Sequence, residues 1–201
     1  MFNFSIQTKI VTAVCLFIVV IIMLSVSVIF VAYDNETRPE PVDKFRSEYQ
    51  QVTDEEHVFE YVSANQILYM IENKKTALIV LGFKECPWCQ ALMPVLNEAA
   101  KNEEVEKVYY LDIKTMRDDT TTSEHKKYLM LKEAFSEAVD ESKDRLNAPT
   151  VIFLKDGALV DYHIDTVITH VINDNNVLPP LTKDEHKELL EILESKIDKI
   201  K

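Results

Sequence analysis

A cysteine, a proline, a tryptophan and a second cysteine stand in a row at residues 86–89, where an apolar run (76–83) gives way to a pattern of helical period. This arrangement constrains the fold more than any other feature of the chain. It asks for a buried strand, a tight turn and a helix whose first turn carries both sulfurs. At that place Cys86 meets the unsatisfied N–H groups and the positive end of the helix dipole, which favour thiolate over thiol. Cys89 lies nearly a turn later on the same side, close enough to attack a mixed disulfide formed by Cys86. A C-x-x-C beside a βαβ pattern reads as a thiol–disulfide site. The competing reading, half of a zinc site, wants about four ligands. The only other cysteine, Cys15, lies in a membrane-like segment, and the five histidines form no ligand-spaced pair. No metal is therefore expected. His163 and His170 alternate with Asp161 and Asp165 in a way that reads as a solvated strand face.

Residues 10–32 contain no charge and are dominated by Val, Ile, Leu and Phe. At about 1.5 Å per residue this run is long enough for a hydrocarbon core of roughly 30 Å. It exceeds the apolar region of a signal peptide, and the bulky Phe30 spoils a small-x-small cleavage site. An uncleaved transmembrane anchor is expected, after a cytoplasmic tail of residues 1–9. Lys9 precedes the run while Asp34, Glu36 and Glu40 follow it, so the amino terminus stays in the cytoplasm and the rest lies outside. There disulfides persist. All 34 acidic residues and all but one of the 22 lysines and arginines follow the run, in a chain of net charge −12. Such a charge repels nucleic acid and anionic lipid heads, and keeps a domain soluble.

Residues 33–56 are polar, hold Pro39 and Pro41, and read as a stalk, with a short helix conceivable over 45–52. Residues 57–201 are enough for one domain. Within it the pattern alternates: a strand at 57–62, a helix capped by Ser63 and Gln66, the strand at 76–83, and a helix over 87–102 with Pro94 inside it. A strand at 106–113, a polar connection at 118–123 and a helix over 124–143 come next. Strands are expected at 150–154 and within 158–172, joined by a turn at Asp156-Gly157. A last helix is capped by Thr182 and Glu185, with Leu189, Leu190, Leu193, Ile197 and Ile200 inward. The expected architecture is an α/β sandwich, a central mixed sheet with helices on both faces. No glycine-rich phosphate loop or nucleophile elbow is present.

The run Leu81-Gly82-Phe83-Lys84-Glu85-Cys86-Pro87-Trp88-Cys89, then Ala148-Pro149-Thr150 before the apolar Val151-Ile152-Phe153-Leu154, then Lys155-Asp156-Gly157, resembles the thioredoxin superfamily from about Val58 onward. The resemblance implies a thioredoxin-like sandwich and a cis Ala148–Pro149 bond beside the dithiol. It also implies exchange through a mixed disulfide, with Cys86 the exposed attacking thiolate and Cys89 the resolving thiol. Trp88, Ala148, Pro149 and Thr150 are the implied substrate-binding residues; Trp88 serves as an apolar lip or as packing over the disulfide. No cofactor is implied beyond a redox-active Cys86–Cys89 disulfide. The chain departs from cytoplasmic thioredoxins at Val80, where they carry a buried acid that serves proton transfer at the resolving thiol. Glu85, next to Cys86, is expected to oppose the thiolate. The direction of electron flow stays open.

With its short amino-terminal anchor, the Gly82-Phe83-Lys84-Glu85-Cys86-Pro87-Trp88-Cys89 run and a basic-acidic final helix, the chain more narrowly resembles the thioredoxin-like accessory proteins encoded with bacteriocin exporters in Gram-positive bacteria. The implied function is that of a membrane-anchored extracytoplasmic thiol–disulfide oxidoreductase. Its partners would be exported peptide or protein thiols, an exporter or a membrane redox partner, and not nucleic acid. The alternative is an accessory role in peptide export without turnover.

Overall fold

A computed structural model describes the backbone from Pro41 to Lys201. The expected tail, anchor and first part of the stalk lie outside the described residues, among which no helix is long and apolar enough to cross a membrane. The elements are α1 (Pro41–Glu48), β1 (Phe59–Tyr61), α2 (Ala64–Glu72), β2 (Ala77–Gly82), α3 (Pro87–Asn102), β3 (Val108–Asp112), α4 (Lys114–Asp118), α5 (Ser123–Ala134), β4 (Val139–Asp140), β5 (Arg145–Leu146), β6 (Thr150–Lys155), β7 (Ala158–Ile164) and α6 (Lys183–Ile197). Five strands form one mixed sheet in the order β1-β3-β2-β6-β7, with β1, β3 and β2 parallel and β6 and β7 antiparallel.

β2 runs through the middle, and all six of its residues are buried. Alternate side chains point to opposite faces of a strand. Leu78 and Val80 accordingly join the core beneath α1, α3 and α6, while Ala77, Ile79 and Leu81 join the core beneath α2 and α5. The two capping boxes form as expected at Ser63/Gln66 and Thr182/Glu185. Asp156 and Gly157 both take left-handed φ, +52° and +78°, as a two-residue hairpin requires. At Gly157 no side chain fits, because a β-carbon would stand 2.3 Å from the Ile71 carbonyl oxygen.

Four expectations change. The stalk does not extend to residue 56: α1 places Phe45 and Tyr49 one helical turn apart, and with Val52 they are at most 2 % exposed. Phe45 stacks on Phe59 at 4.2 Å and on Tyr49 at 4.7 Å, and meets the Tyr110 ring edge-on at 5.3 Å. These rings bury too much apolar area to be linker. The helix expected over 124–143 stops at Ala134, and the chain then makes a small β4–β5 hairpin, with Val139 opposite Leu146. The polar connection expected at 118–123 is shorter, since α4 runs to Asp118. β7 ends at Ile164, and residues 165–172 leave the sheet. His170 is therefore not on a solvated strand: it is 3 % exposed, with its ring nitrogens bonded to Thr166 Oγ1 (2.8 Å) and the Pro179 carbonyl oxygen (2.7 Å).

Candidate functional site

β2 delivers the chain to a turn ending at Cys86, the N-cap of α3, and Pro87 opens the helix, where its missing N–H is least felt. The Cys89 N–H donates to Cys86 Sγ (3.4 Å), so the first sulfur caps the helix as an oxygen would. On its other side the Cys86 thiol donates to the Ala148 carbonyl oxygen (3.2 Å), and the Ala148–Pro149 peptide is cis. The cis proline implied by the thioredoxin resemblance is thus beside Cys86. The Gln90 side chain, one turn into α3, donates to the carbonyl oxygens of Glu48 (2.8 Å) and Lys84 (2.6 Å). It fastens both the turn and α1 to the cysteine helix.

The two sulfurs differ in character. Hydrogen bonding from the Cys89 side, and then from the Cys89 and Trp88 backbone, lowers the Cys86 pKa despite its burial. Burial raises that of Cys89, reinforced by its bond to Cys86. Cys86, the sulfur with the lowered pKa, is recessed, at 4 % exposure, behind the rim of a cleft of about 410 Å³. Phe83, Trp88, Arg117, Arg145, Asn147 and Ala148 line that cleft, with Asp165 and Lys143.

Of the expected binding residues, Trp88 both packs on the core and lines the cleft. Ala148 is placed as expected. Thr150 is not: it is fully buried, and its hydroxyl donates to the Asn147 carbonyl oxygen (2.9 Å), bracing the turn before Pro149. Glu85 lines the same cleft as Cys86 and is paired there with Lys114 (3.2 Å); hydrogen bonding at its own backbone, with Lys114, holds its carboxyl low. A carboxylate that opposes ionisation of Cys86 is Asp165, 79 residues away in sequence. Val80 is fully buried as the sequence implies, and a hydrogen-bonded pair, Tyr49 and Tyr110 (O···O 2.9 Å), occupies the floor near Cys89. Burial raises both tyrosine pKa values far above the ordinary range, so the floor is neutral.

No family model matches the chain, and no curated protein does. Among solved structures, a wild-type thioredoxin h from poplar is similar to it, with a TM-score of 0.35 and 18% identity, over 67% of this chain and 96% of the poplar chain.

Arg145, Asp165 and the Tyr49–Tyr110 pair were not legible as site residues. Arg145 lies on a two-residue strand just beyond the expected helix, and Asp165 sits just past the end of β7. The usable signal was Asn147-Ala148-Pro149: a proline beside the dithiol brings its flanking residues along.

Proposed function

We propose that the chain is a thioredoxin-like thiol–disulfide oxidoreductase, held to the membrane by residues 10–32 and acting outside the cell on exported peptide or protein thiols. The observation that carries this reading is the opposite perturbation of two sulfurs on one helix end. Cys86 is poised to ionise and attack, while Cys89 is kept as a thiol until a mixed disulfide forms. The cleft wall supports it: a substrate segment lying along Ala148 would bring its sulfur over Cys86. The anchor and its orientation rest on the uncharged run and the acidic flank of the sequence.

The full chain in detergent should oxidise a dithiol peptide when loaded with the Cys86–Cys89 disulfide, or reduce a disulfide peptide when reduced. A Cys89→Ala variant should accumulate the mixed disulfide on Cys86. An unreactive Cys86 that forms no adduct with any peptide disulfide would leave only the accessory role without turnover.

A further inference from the structure

Beyond the two sulfurs, we propose that Asp165 is the proton-transfer group of the exchange reaction, working from the cleft wall in place of the acid missing at Val80. The role rests on the oxidoreductase reading.

The position beneath Cys89 offers no proton acceptor of carboxylate strength. Val80 is aliphatic, and the two tyrosine hydroxyls are buried and bonded to each other. Most other nearby carboxylates are occupied. Glu85, on the same cleft, is paired with Lys114, and Asp112 accepts from the Lys114 N–H. Arg117 holds Asp118 through two hydrogen bonds, at 2.7 and 3.2 Å. Asp140 accepts from Ser142, Asn147 and Lys143.

Asp165 differs. It is half-buried, it lines the cleft with Cys86, and its carboxylate has no hydrogen bond or ion pair among the described residues. Its backbone is held: φ is +60°, and its N–H donates to the Pro149 carbonyl oxygen (3.1 Å), one residue beyond the carbonyl that receives the Cys86 thiol. A left-handed φ at a non-glycine residue costs free energy that the surroundings must offset, and such positions gather at working sites. The charged groups around it are Lys143 and Asp140 from the β4–β5 hairpin, Arg145 on β5, Arg117 on α4, Glu85, and the thiols of α3. Asp165 shares the cleft with Cys86, to whose sulfur the Cys89 N–H donates (3.4 Å), and its charge opposes ionisation of both thiols. Burial pushes its own carboxyl up, towards the range useful to a general base.

The step is resolution of the mixed disulfide formed when Cys86 has attacked a substrate disulfide. The Asp165 carboxylate takes the proton from Cys89 Sγ. The Cys89 sulfur then attacks Cys86 Sγ, the bond from Cys86 to the substrate sulfur breaks, and the departing thiolate takes the proton from Asp165. The products are the Cys86–Cys89 disulfide and a substrate thiol. The substrate disulfide is the oxidant, and the reverse sequence serves dithiol oxidation.

The test uses the full chain carrying a mixed disulfide between Cys86 and a cysteine peptide, formed in acid and released by a pH jump, with peptide release followed after acid quench. Asp165→Asn keeps the size and tolerates left-handed φ. It should slow release at least about tenfold and remove the rise of rate with pH that titration of the carboxyl gives the native chain. Asp165→Glu should restore most of the rate. Alkylation of Cys86 in Asp165→Asn should reach its midpoint at lower pH, because an opposing charge is gone. Release by Asp165→Asn at the native rate would overturn the role, as would uniform slowing at every pH without rescue by glutamate. Failure of the native chain itself to release peptide would overturn the oxidoreductase reading, and this role with it.

Discussion

The dithiol stands between two unlike regions. Below Cys89 lies a floor without charge: Val80, Met93, and the Tyr49–Tyr110 pair, sealed by Phe45 and Phe59. Beside Cys86 lies a wall crowded with charge, where Arg117, Lys143, Arg145 and Asp165 line an open cleft. Floor and wall are reached from the same helix end, three residues apart. The difference teaches that the two sulfurs are set mainly by different surroundings. The floor offers desolvation and no countercharge, so it holds Cys89 as a thiol. The wall and the helix end supply the donors and charges that tune Cys86.

The comparison can be broken first at the sulfurs. Cys86→Ser should abolish peptide disulfide exchange outright, measured by turnover of the full chain, because no other described sulfur reaches the cleft; residual turnover would mean the wall is not where chemistry occurs. Next, Phe45→Ala should cost about 3–5 kcal/mol in urea unfolding, the range for emptying a buried aromatic site. A loss of only a few tenths would return residues 41–56 to the stalk and leave the floor without its lid.

Tyr110→Phe should cost about 1–3 kcal/mol, since the Tyr49 hydroxyl is left buried without its partner. It should leave the pH midpoint of Cys86 alkylation unmoved, and a shifted midpoint would show that floor and wall are coupled. That midpoint in the native chain should itself lie below that of an ordinary thiol, with Cys89 unreactive over the same range. The smallest effect belongs to Glu85→Gln. Its carboxylate is half-exposed and paired to Lys114, so the Cys86 midpoint should barely move, in contrast to the shift expected from Asp165→Asn.

The elements that position the dithiol were legible in the sequence because they repeat simple periods. β2 is a continuous apolar run, α3 is apolar at helical spacing behind a proline, and both capping boxes satisfy local donors. Cys86 and Cys89 came from the local C-x-x-C pattern, and Pro149 from the thioredoxin resemblance. What was not legible depends on contacts distant in sequence. Phe45 and Tyr49 are isolated aromatics in a polar stretch, and only Phe59 and Tyr110 show where they go. Glu85 was assigned by adjacency, yet Lys114 on another element pairs with its charge, whereas Asp165 arrives through a backbone bond to Pro149. The periodicity of residues 124–143 hid a helix end at Phe135, whose side chain turns into the core and lets the β4–β5 hairpin form.

The left-handed backbone positions have a consequence for the unfolded chain. Of the two glycines in the protein, Gly157 adopts a positive φ, while six other described positions do so with lysine, glutamate, aspartate or asparagine. A glycine at each would relax the native turn but widen the range of conformations open to the denatured chain. By using side-chain-bearing residues there, the chain narrows its denatured ensemble and accepts local strain in the native state instead. Glycine replacements on the hairpins and loops should therefore change equilibrium stability little, because both states shift together. At Asp165 alone the same replacement would also remove a charge that the dithiol feels.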